Sequence, residues 1–219
     1  HGALLLVDNT FASPFACRPI ERGADLVMHS ATKYISGHAD VLAGVVVGSR
    51  KRVDACRPLL VDVGGALAPI AAFLVLRGIP TLALRMQRHS ETALNLAAWL
   101  QGQGGVGRVH YPGLPGSPYH SVAVRELDVF GGMLAFELSG GRAAGQAFLD
   151  AMQIAERTAS LGAFRTITTH PASTTHRQLN VDELKASGIA PGLLRCSVGL
   201  EDVEDLREDF ERGLAAARA

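Results

Sequence analysis

Residues 25–38 read DLVMHSATKYISGH, an apolar run followed by small hydroxyl residues, a lysine and a glycine turn. The lysine, Lys33, is one of three in the chain, and the other two, Lys51 and Lys185, stand among charged or polar residues typical of a solvated surface. A lysine desolvated after a buried strand loses its proton more easily and then acts as an amine nucleophile. The stretch therefore makes Lys33 a candidate Schiff-base lysine.

Two hydroxyl residues stand beside this lysine. Ser30 and Thr32, with the backbone amides of a turn that follows a strand, form a candidate phosphate site. A cofactor that carries both a phosphate and an aldehyde, such as pyridoxal phosphate, needs a phosphate clamp beside an imine-forming amine. The alternative is a polar turn with an exposed lysine, and the spacing alone favours that alternative.

Asp8 directly follows an apolar strand at residues 3–7. Ligand sites in open parallel sheets lie at the carboxyl ends of the strands. A carboxylate at this position would pair with a protonated ring nitrogen and keep that nitrogen charged. The alternative is an aspartate that caps the following loop through an Asx turn.

Arg195 lies inside a second apolar run, at residues 193–198. A buried arginine needs a partner anion, because an unpaired buried charge is costly. A substrate carboxylate held bidentately is one partner, and an internal salt bridge to a nearby acidic residue is the other. The sequence leaves both open.

The composition excludes several classes of function. The chain has 219 residues, 47% of them hydrophobic, which suits one large or two small domains with a real core. Its formal net charge is zero, so no bulk charge favours nucleic acid or an anionic membrane as partner. No uninterrupted apolar stretch has the length of a membrane span, and no signal peptide is recognisable.

Cysteines and histidines give no sign of a metal site. Cys17, Cys56 and Cys196 show no CxxC spacing, so we expect small buried thiols in a reducing cytoplasm. His170 and His176 flank a hydroxyl-rich loop but lack a third ligand. We therefore expect no bound metal.

The order of apolar runs and breakers predicts an α/β architecture with a largely parallel sheet. In the first part, the sequence predicts strands at 3–7, 26–28 and 43–47 and helices at 66–76 and about 81–101. Later, it predicts strands at 109–113, 132–138 and 193–198 and helices at 145–152 and 201–217. We divide the chain into a first unit, 1–84, and a smaller α+β unit, 85–219, joined by the long helix with Thr81 at its N-cap.

Two of these helices have periodic apolar faces. The faces consist of Met86, Ala93, Ala97 and Leu100 in the long helix, and of Val203, Leu206, Phe210 and Leu214 in the closing helix. Glu201 and Asp202 suit the positive end of the closing helix.

Residues 25–39 resemble the lysine-site signature of the Cys/Met-metabolism family of pyridoxal-phosphate enzymes. This family contains cystathionine γ-synthase, cystathionine γ-lyase, methionine γ-lyase and the homoserine sulfhydrylases. The likeness covers essentially the whole chain. It includes the further motifs VDNTFASP (7–14), RG (77–78) with TL (81–82), YPGL (111–114), SLG (160–162) and LRCSVGLED (194–202).

The resemblance implies roles in binding the cofactor, pyridoxal 5'-phosphate. Lys33 would form the Schiff base with its aldehyde, and Asp8 would pair with its pyridine nitrogen. Ser30 and Thr32 would bind the phosphate, and Thr10 would lie near the ring.

The resemblance also implies a fold, a reaction and an assembly. The fold is fold-type-I transferase, its mostly parallel sheet incomplete at the N-terminal side, with a smaller C-terminal α+β domain. The reaction is γ-replacement or γ-elimination on an O-acylhomoserine, cystathionine or methionine, with Arg195 on the substrate α-carboxylate and Ser160 close by. The loop at 169–176 looks more like the sulfhydrylases and methionine γ-lyase than the β-lyases. A cytoplasmic homodimer or homotetramer with shared active sites is implied.

One departure from the family is large. Family members carry a region before the Asp8 strand that supplies a ring stacked on the cofactor, a phosphate loop and groups donated across a dimer interface. This chain starts at the strand itself, so we expect it to be the C-terminal part of a longer protein. The alternative is a catalytically inactive truncated fragment that acts as a binding or structural module.

Overall fold

The computed structural model describes residues 2–218 and begins with a three-stranded sheet. Its strands are β1 (Leu6–Asp8), β2 (Leu26–Ser30) and β3 (Gly44–Gly48), in the order β1-β2-β3. Strand β2 runs parallel to β1 and antiparallel to β3. The α/β class is confirmed, and the part of this sheet that the structure describes is mixed.

Helices follow and flank this sheet. They are α1 (Ser13–Ala16), α2 (Arg50–Asp62), α3 (Pro69–Gly78) and α4 (Leu82–Leu100). Helix α4 is the long helix of the sequence analysis, and its four apolar-face residues are all buried. Thr81 takes the N-cap position but makes no capping hydrogen bond, because its hydroxyl donates to the carbonyl of Gly78 at 3.1 Å instead.

A second sheet of five strands lies beyond α4, with the order β4-β5-β8-β7-β6. The strands are β4 (Val106–His110), β5 (Met133–Leu138), β6 (Glu156–Arg157), β7 (Ile167–Thr169) and β8 (Leu193–Ser197). Among the described pairings of this second sheet, β6–β7 is parallel and the others are antiparallel. The accompanying helices are α5 (His120–Glu126), α6 (Gly141–Ala151), α7 (Val181–Ala186) and α8 (Val203–Arg218). The domain boundary near residue 84 stays a prediction.

The main core lies between the second sheet and helices α4, α6 and α8. Phe136, Phe148 and Phe210 are fully buried in it, and Phe148 packs edge-to-face on the other two with ring centroids 5.4 and 5.5 Å away. Burying each such side chain stabilises the fold by about 1.5–3 kcal/mol. This core holds β8, which carries Arg195, rigidly in place.

The first sheet and its helices expose a broad apolar surface. Leu4–Leu6 are more than half exposed, the three valines of β3 are exposed, and α2 buries none of its residues. On α3, Phe73 and Leu76 also face outward. Exposed apolar side chains in such number are typical of surfaces that contact other polypeptide segments.

The helical run Pro69–Leu100 qualifies, by length and composition alone, as one candidate membrane span, which the uninterrupted apolar lengths did not predict. A 3-10 turn, Ile79–Thr81, interrupts the run, and α4 packs its apolar face into the core. Helix α4 also carries the charged side chains of Arg85 and Arg88. Burial in the core accounts for the apolar face of α4, but only 22% of the qualifying window is buried, and Phe73 and Leu76 of α3 face outward.

The cysteines are all free. Cys196 is buried as expected, but Cys17 is half-buried and Cys56 is exposed on α2. The expectation of buried thiols was therefore wrong for Cys56, because its helix face has no packing partner in the described residues.

Candidate active site

Lys33 lies on a tight turn at the carboxyl end of β2. Its amide donates to the carbonyl of Ser30 at 3.1 Å, and its own carbonyl accepts from the amide of Gly37 at 2.8 Å. The next residue, Tyr34, is fully buried, which anchors the turn in the protein. The amine therefore projects from a fixed backbone at the edge where ligands bind in α/β sheets.

The Lys33 amine has a defined partner. Its Nζ donates to Ser160 Oγ at 2.9 Å. Burial lowers the pKa of Lys33, and the positive charge of Arg195 lowers it further. Both effects favour the neutral amine, which is the nucleophilic and basic form. By contrast, Lys51 and Lys185 are exposed, as the sequence predicts.

Ser160 also contacts Arg195. The Arg195 guanidinium donates through Nη2 to the backbone carbonyl of Ser160 at 3.2 Å. Within residues 2–218 no carboxylate lies within salt-bridge distance of Arg195, so the internal salt bridge that the sequence left open is not found. The remaining guanidinium donors are available for an anion.

The loop that carries Ser160 is held from both sides. Gly162 donates its amide to Ser197 Oγ at 2.8 Å, which ties the loop to β8. Gly162 has a φ of +76°, and a Cβ there would lie 2.6 Å from the amide nitrogen of Tyr34. Only glycine permits this approach between the loop and the Lys33 turn.

Asp8 and Ser30 are joined by Thr10. The Thr10 hydroxyl donates to Asp8 Oδ1 at 2.6 Å and accepts from the amide of Ser30 at 2.8 Å. The Thr10 amide donates to the same Asp8 oxygen at 3.0 Å, which is the Asx turn considered from the sequence. These hydrogen bonds lower the pKa of Asp8, the hydroxyl contributing most, and the neighbouring His29 also lowers it. The carboxylate is thus kept ionised.

The two candidate phosphate ligands differ. The Ser30 hydroxyl makes no hydrogen bond to the residues that the structure describes. The Thr32 hydroxyl is engaged, because it accepts from the amide of Ala43 at 2.9 Å and lies 3.3 Å from the carbonyl of the same residue. The Thr32 hydroxyl therefore fixes the loop that follows the lysine. The phosphate-binding roles of Thr32 and Ser30 stay predictions.

The site residues form one continuous series of contacts. The series runs through Asp8, Thr10, Ser30, Lys33, Ser160 and Arg195. An amine with a lowered pKa, an ionised carboxylate at the neighbouring strand end and an uncommitted hydroxyl fit pyridoxal phosphate. The structure thus brings together every proposed site residue except the hydroxyl of Thr32.

Several residues of the sequence motifs make structural hydrogen bonds rather than contacts with the candidate site. Tyr111 donates its hydroxyl to the carbonyls of Ser90 at 3.2 Å and Gly131 at 2.8 Å. Glu201 precedes α8, which begins at Val203, and its carboxylate accepts from the amide and hydroxyl of Thr166 at 2.6 and 2.9 Å. Glu201 therefore does not serve the helix dipole as the sequence suggested, and it ties β7 to the loop after β8.

The two loop histidines do not form a metal site with other described residues. His170 is buried, with its ring nitrogens 2.8 Å from Ser173 Oγ and 2.7 Å from the carbonyl of Pro191. Its neighbour in the loop, His176, contacts the hydroxyl of Thr175 at 2.9 Å. Among residues 2–218 no group of three potential metal-ligating side chains occurs.

The candidate site does not lie in the largest cavity described below. A cavity of about 750 Å³ is lined by Gln101 and residues within 106–119, and Lys33 does not border it. The reactive groups instead lie between the carboxyl ends of β1 and β2 and the loop that carries Ser160.

Comparison with known proteins gives a consistent family. The chain is 49% identical, over 99% of its length and 55% of the relative's, to an L-methionine gamma-lyase of Pseudomonas putida. It is 45% identical, over 98% of its length and 53% of the relative's, to an O-succinylhomoserine sulfhydrylase of Pseudomonas aeruginosa. A cystathionine beta-lyase of Coxiella burnetii is 43% identical over 96% of the chain and 55% of that protein.

Solved structures have the same fold. A cystathionine gamma synthase of Xanthomonas oryzae pv. oryzae, in complex with aminoacrylate and cysteine, superposes with a TM-score of 0.94 at 43% identity, covering 99% of this chain and 56% of that one. The chain spans about half the length of the curated relatives that it matches. The sequence model described as Cys/Met metabolism PLP-dependent enzyme matches residues 1–215. The chain therefore belongs to the Cys/Met-metabolism family of pyridoxal-phosphate-dependent enzymes.

Proposed function

We propose that the protein containing this chain is a trans-sulfuration enzyme that eliminates or replaces the γ substituent of an O-acylhomoserine, cystathionine or methionine. The observation that carries the proposal is the position of Ser160, which accepts from Lys33 through its hydroxyl and from Arg195 through its carbonyl. A basic amine and a carboxylate-binding cation thus meet at a single residue.

In this proposal Arg195 binds the α-carboxylate of the amino-acid substrate. A guanidinium presents paired donors that match a carboxylate, so it fixes the orientation of the substrate as well as its position. The Lys33 amine then takes the proton from the substrate α carbon, because burial and the charge of Arg195 lower its pKa and so favour its basic, neutral form. Ser160 holds the amine in place through its hydroxyl.

Pyridoxal phosphate, when bound, supplies an electron sink for the charge left on the substrate carbon. Asp8 would keep the ring nitrogen protonated, since the Thr10 hydrogen bonds lower the pKa of its carboxylate and favour the ionised form. Ser30 and Thr32 would bind the phosphate, Ser30 through its uncommitted hydroxyl and Thr32 through a hydroxyl that contacts Ala43 in this structure. Once it has released the α proton, Lys33 would also take the β proton, since one base near both carbons serves both steps.

Two observations support γ chemistry over β chemistry. The loop at 169–176 resembles the sulfhydrylases and methionine γ-lyase, and relatives named L-methionine gamma-lyase and O-succinylhomoserine sulfhydrylase are 45–49% identical to the chain, against 43% for the cystathionine beta-lyase. We therefore propose γ-elimination from methionine or γ-replacement on an acylated homoserine as the first activities to assay.

Assembly and location are part of the same proposal. The exposed apolar surface of β1, β3, α2 and α3 supports self-association into a homodimer or homotetramer with shared sites. Three free cysteines support a reducing cytoplasm.

The test is turnover by the natural protein that contains this chain, supplied with pyridoxal phosphate. Methionine, O-acetylhomoserine, O-succinylhomoserine and cystathionine are assayed for keto acid, ammonia or replacement product. Lys33→Ala should abolish turnover, whereas Lys51→Ala, at an exposed lysine, should leave it unchanged. Retained turnover in Lys33→Ala would remove Lys33 from the reaction. No turnover of any of the four by the unaltered protein would favour the inactive binding module.

A further inference from the structure

Arg85 on α4 is buried, at 6% exposure, and binds four uncharged groups. Its Nη1 donates to the carbonyl of Tyr34 at 2.7 Å. Its Nη2 donates to the carbonyls of Ile35 at 3.2 Å and Gly78 at 2.9 Å. Its Nε donates to the Thr81 hydroxyl at 3.0 Å. Every side-chain nitrogen of the guanidinium is therefore in use.

This buried cation has no anionic partner in the part of the chain that the structure describes. Burial lowers the pKa of the Arg85 guanidinium, and no carboxylate opposes the effect. Part of its compensation comes from the carbonyl of Gly78 at the end of α3, where the helix dipole is negative. Burying a cation without an anionic partner is costly, so a contribution to stability alone does not explain Arg85.

The bonds of Arg85 join it to the backbone of the reactive lysine. Tyr34 and Ile35 directly follow Lys33, and Arg85 binds the carbonyl oxygens of both. The space around these bonds is closed, because a Cβ at Gly37 would overlap the Arg85 guanidinium and a Cβ at Gly78 would overlap the carbonyl of Ser36. The turn after Lys33 therefore packs tightly against Arg85 and the end of α3.

We propose that Arg85 is a positioning residue for Lys33: by holding the two peptide groups after the lysine, it sets where Nζ meets the substrate. The inference rests on the proposed function only in taking Lys33 as the reacting amine. Arg85 acts through backbone geometry, since the charge that acts on the Lys33 amine comes from Arg195.

The shape of the guanidinium explains why arginine is used. Its planar fork reaches carbonyls on two different elements at once, whereas the ammonium of a lysine is a compact point charge on a flexible stem. Lysine at position 85 would keep the charge but lose the simultaneous contacts to Tyr34, Ile35 and Gly78. A variant that keeps the charge therefore separates geometry from electrostatics.

The test compares Arg85→Met and Arg85→Lys with Arg88→Met in the natural protein loaded with pyridoxal phosphate. Arg88 lies one turn further along α4, and its side chain is 45% exposed, so this control removes the same charge from the same helix. We expect Arg85→Met to lower kcat by about 100-fold, the usual effect of misplacing a reacting group by roughly 1 Å, with KM nearly unchanged. Arg85→Lys should restore only a small part of kcat, and Arg88→Met should resemble the unaltered protein.

The outcomes separate this inference from the proposed function. Borohydride reduction followed by peptide mapping shows whether Lys33 holds the cofactor in each variant. Cofactor on Lys33 together with an unchanged kcat in Arg85→Met would overturn the positioning role alone. Absence of cofactor from Lys33 in the unaltered protein would overturn the proposed function. Equal kcat in Arg85→Lys and the unaltered protein would show that charge, rather than geometry, is the requirement.

If both Arg85 variants fail to fold, a milder variant tests the positioning role of Arg85. Thr81→Val removes only the hydroxyl that accepts from Arg85 Nε and donates to Gly78. A lowered kcat with unchanged KM in this variant supports the positioning role, and an unchanged kcat contradicts it.

Discussion

Lys33 Nζ lies 2.9 Å from Ser160 Oγ, although 127 positions separate the two residues in the chain. The contact joins the turn after β2 to the loop before β7, so neither sheet alone makes the site. Because the carbonyl of Ser160 also accepts from Arg195, one residue sets the spacing between the amine and the guanidinium. Five expectations follow from this arrangement and from the core that supports it.

Arg195→Met should weaken the binding of amino-acid substrates. Truncating one partner of a buried charge pair costs about 2 kcal/mol or more, so we expect KM to rise by about 30-fold or more. Steady-state kinetics measure the change, with Arg125→Met as control, because the Arg125 side chain is 68% exposed. An unchanged KM in Arg195→Met would remove Arg195 from the substrate site.

The same variant should change the pKa of Lys33. The positive charge of Arg195 lowers that pKa, so its removal should raise it. The pH dependence of Lys33 acylation in cofactor-free protein reports the shift, and the curve should move to higher pH. A curve at the same pH in both proteins would mean that burial alone sets the basicity of the amine.

Gly162→Ala should displace the lysine turn. A Cβ at Gly162 would lie 2.6 Å from the amide nitrogen of Tyr34, and the residue has a φ of +76°. Gly188→Ala is the matched control, because Gly188 has a φ of +70° but no atom within 4 Å of the added Cβ. Both variants carry backbone strain, but only Gly162→Ala should lower kcat, by about 100-fold if Lys33 moves by roughly 1 Å. Equal kcat in the two variants would contradict the close approach.

Thr10→Val should raise the pKa of Asp8 towards its ordinary value. The Thr10 hydroxyl is the largest cause of the lowered pKa, and a hydrogen bond to a carboxylate favours its charged form. Thr10→Ser keeps the hydroxyl and should keep the low pKa. Carbon-13 NMR titration of labelled aspartate measures it directly. The same titration curve in Thr10→Val and Thr10→Ser would show that the hydroxyl does not hold the carboxylate.

Asp209→Asn should destabilise the second sheet and its helices. Burial alone would raise the pKa of Asp209, but it is lowered overall by hydrogen bonds from the amides of residues 153–155 and from Arg212. Hydrogen bonds to a charged group contribute about 1.5–3 kcal/mol, so we expect a loss of that order in the free energy of unfolding at pH 7.

The pH dependence of that loss has a definite sign. A carboxylate with a lowered pKa contributes its full stability above its ordinary value of 3.8, and the contribution disappears as the pH falls through the lowered pKa. The difference between Asp209→Asn and the unaltered protein should therefore shrink in strong acid. Denaturant unfolding at several pH values measures it, with the exposed Asp205→Asn as control. A difference that does not vary with pH would contradict the ionic role.

The sequence predicts elements wherever apolar spacing is strong. The faces of α4 and α8 are confirmed, with Met86, Phe210 and Leu214 buried as their periodicity predicts. Helix α2 was not predicted, because its apolar residues Leu59–Val61 are consecutive rather than spaced along one face, and Pro58 directly precedes them. A helix that buries nothing in the described residues leaves no periodic signal to detect.

The candidate site shows a similar division. Lys33, Asp8 and Arg195 were predicted because each is a charged residue at or in an apolar strand. Arg85 and Gly162 were missed, because their roles depend on contacts with the Lys33 turn from about 50 and 130 residues away. Spacing along the chain carries no information about such contacts, which only the packing of α4 and the loop before β7 creates.

The most direct measurement is the identity of the lysine that binds pyridoxal phosphate. The natural protein is loaded with the cofactor, reduced with borohydride, digested, and its labelled peptide sequenced by mass spectrometry. Because Lys33, Lys51 and Lys185 are the three lysines of this chain, a label within the chain has an unambiguous position. We expect the label on Lys33, together with loss of the visible absorbance band in Lys33→Ala. Label on Lys51 or Lys185, or no label on this chain, would contradict the assignment of Lys33 as the cofactor-binding lysine.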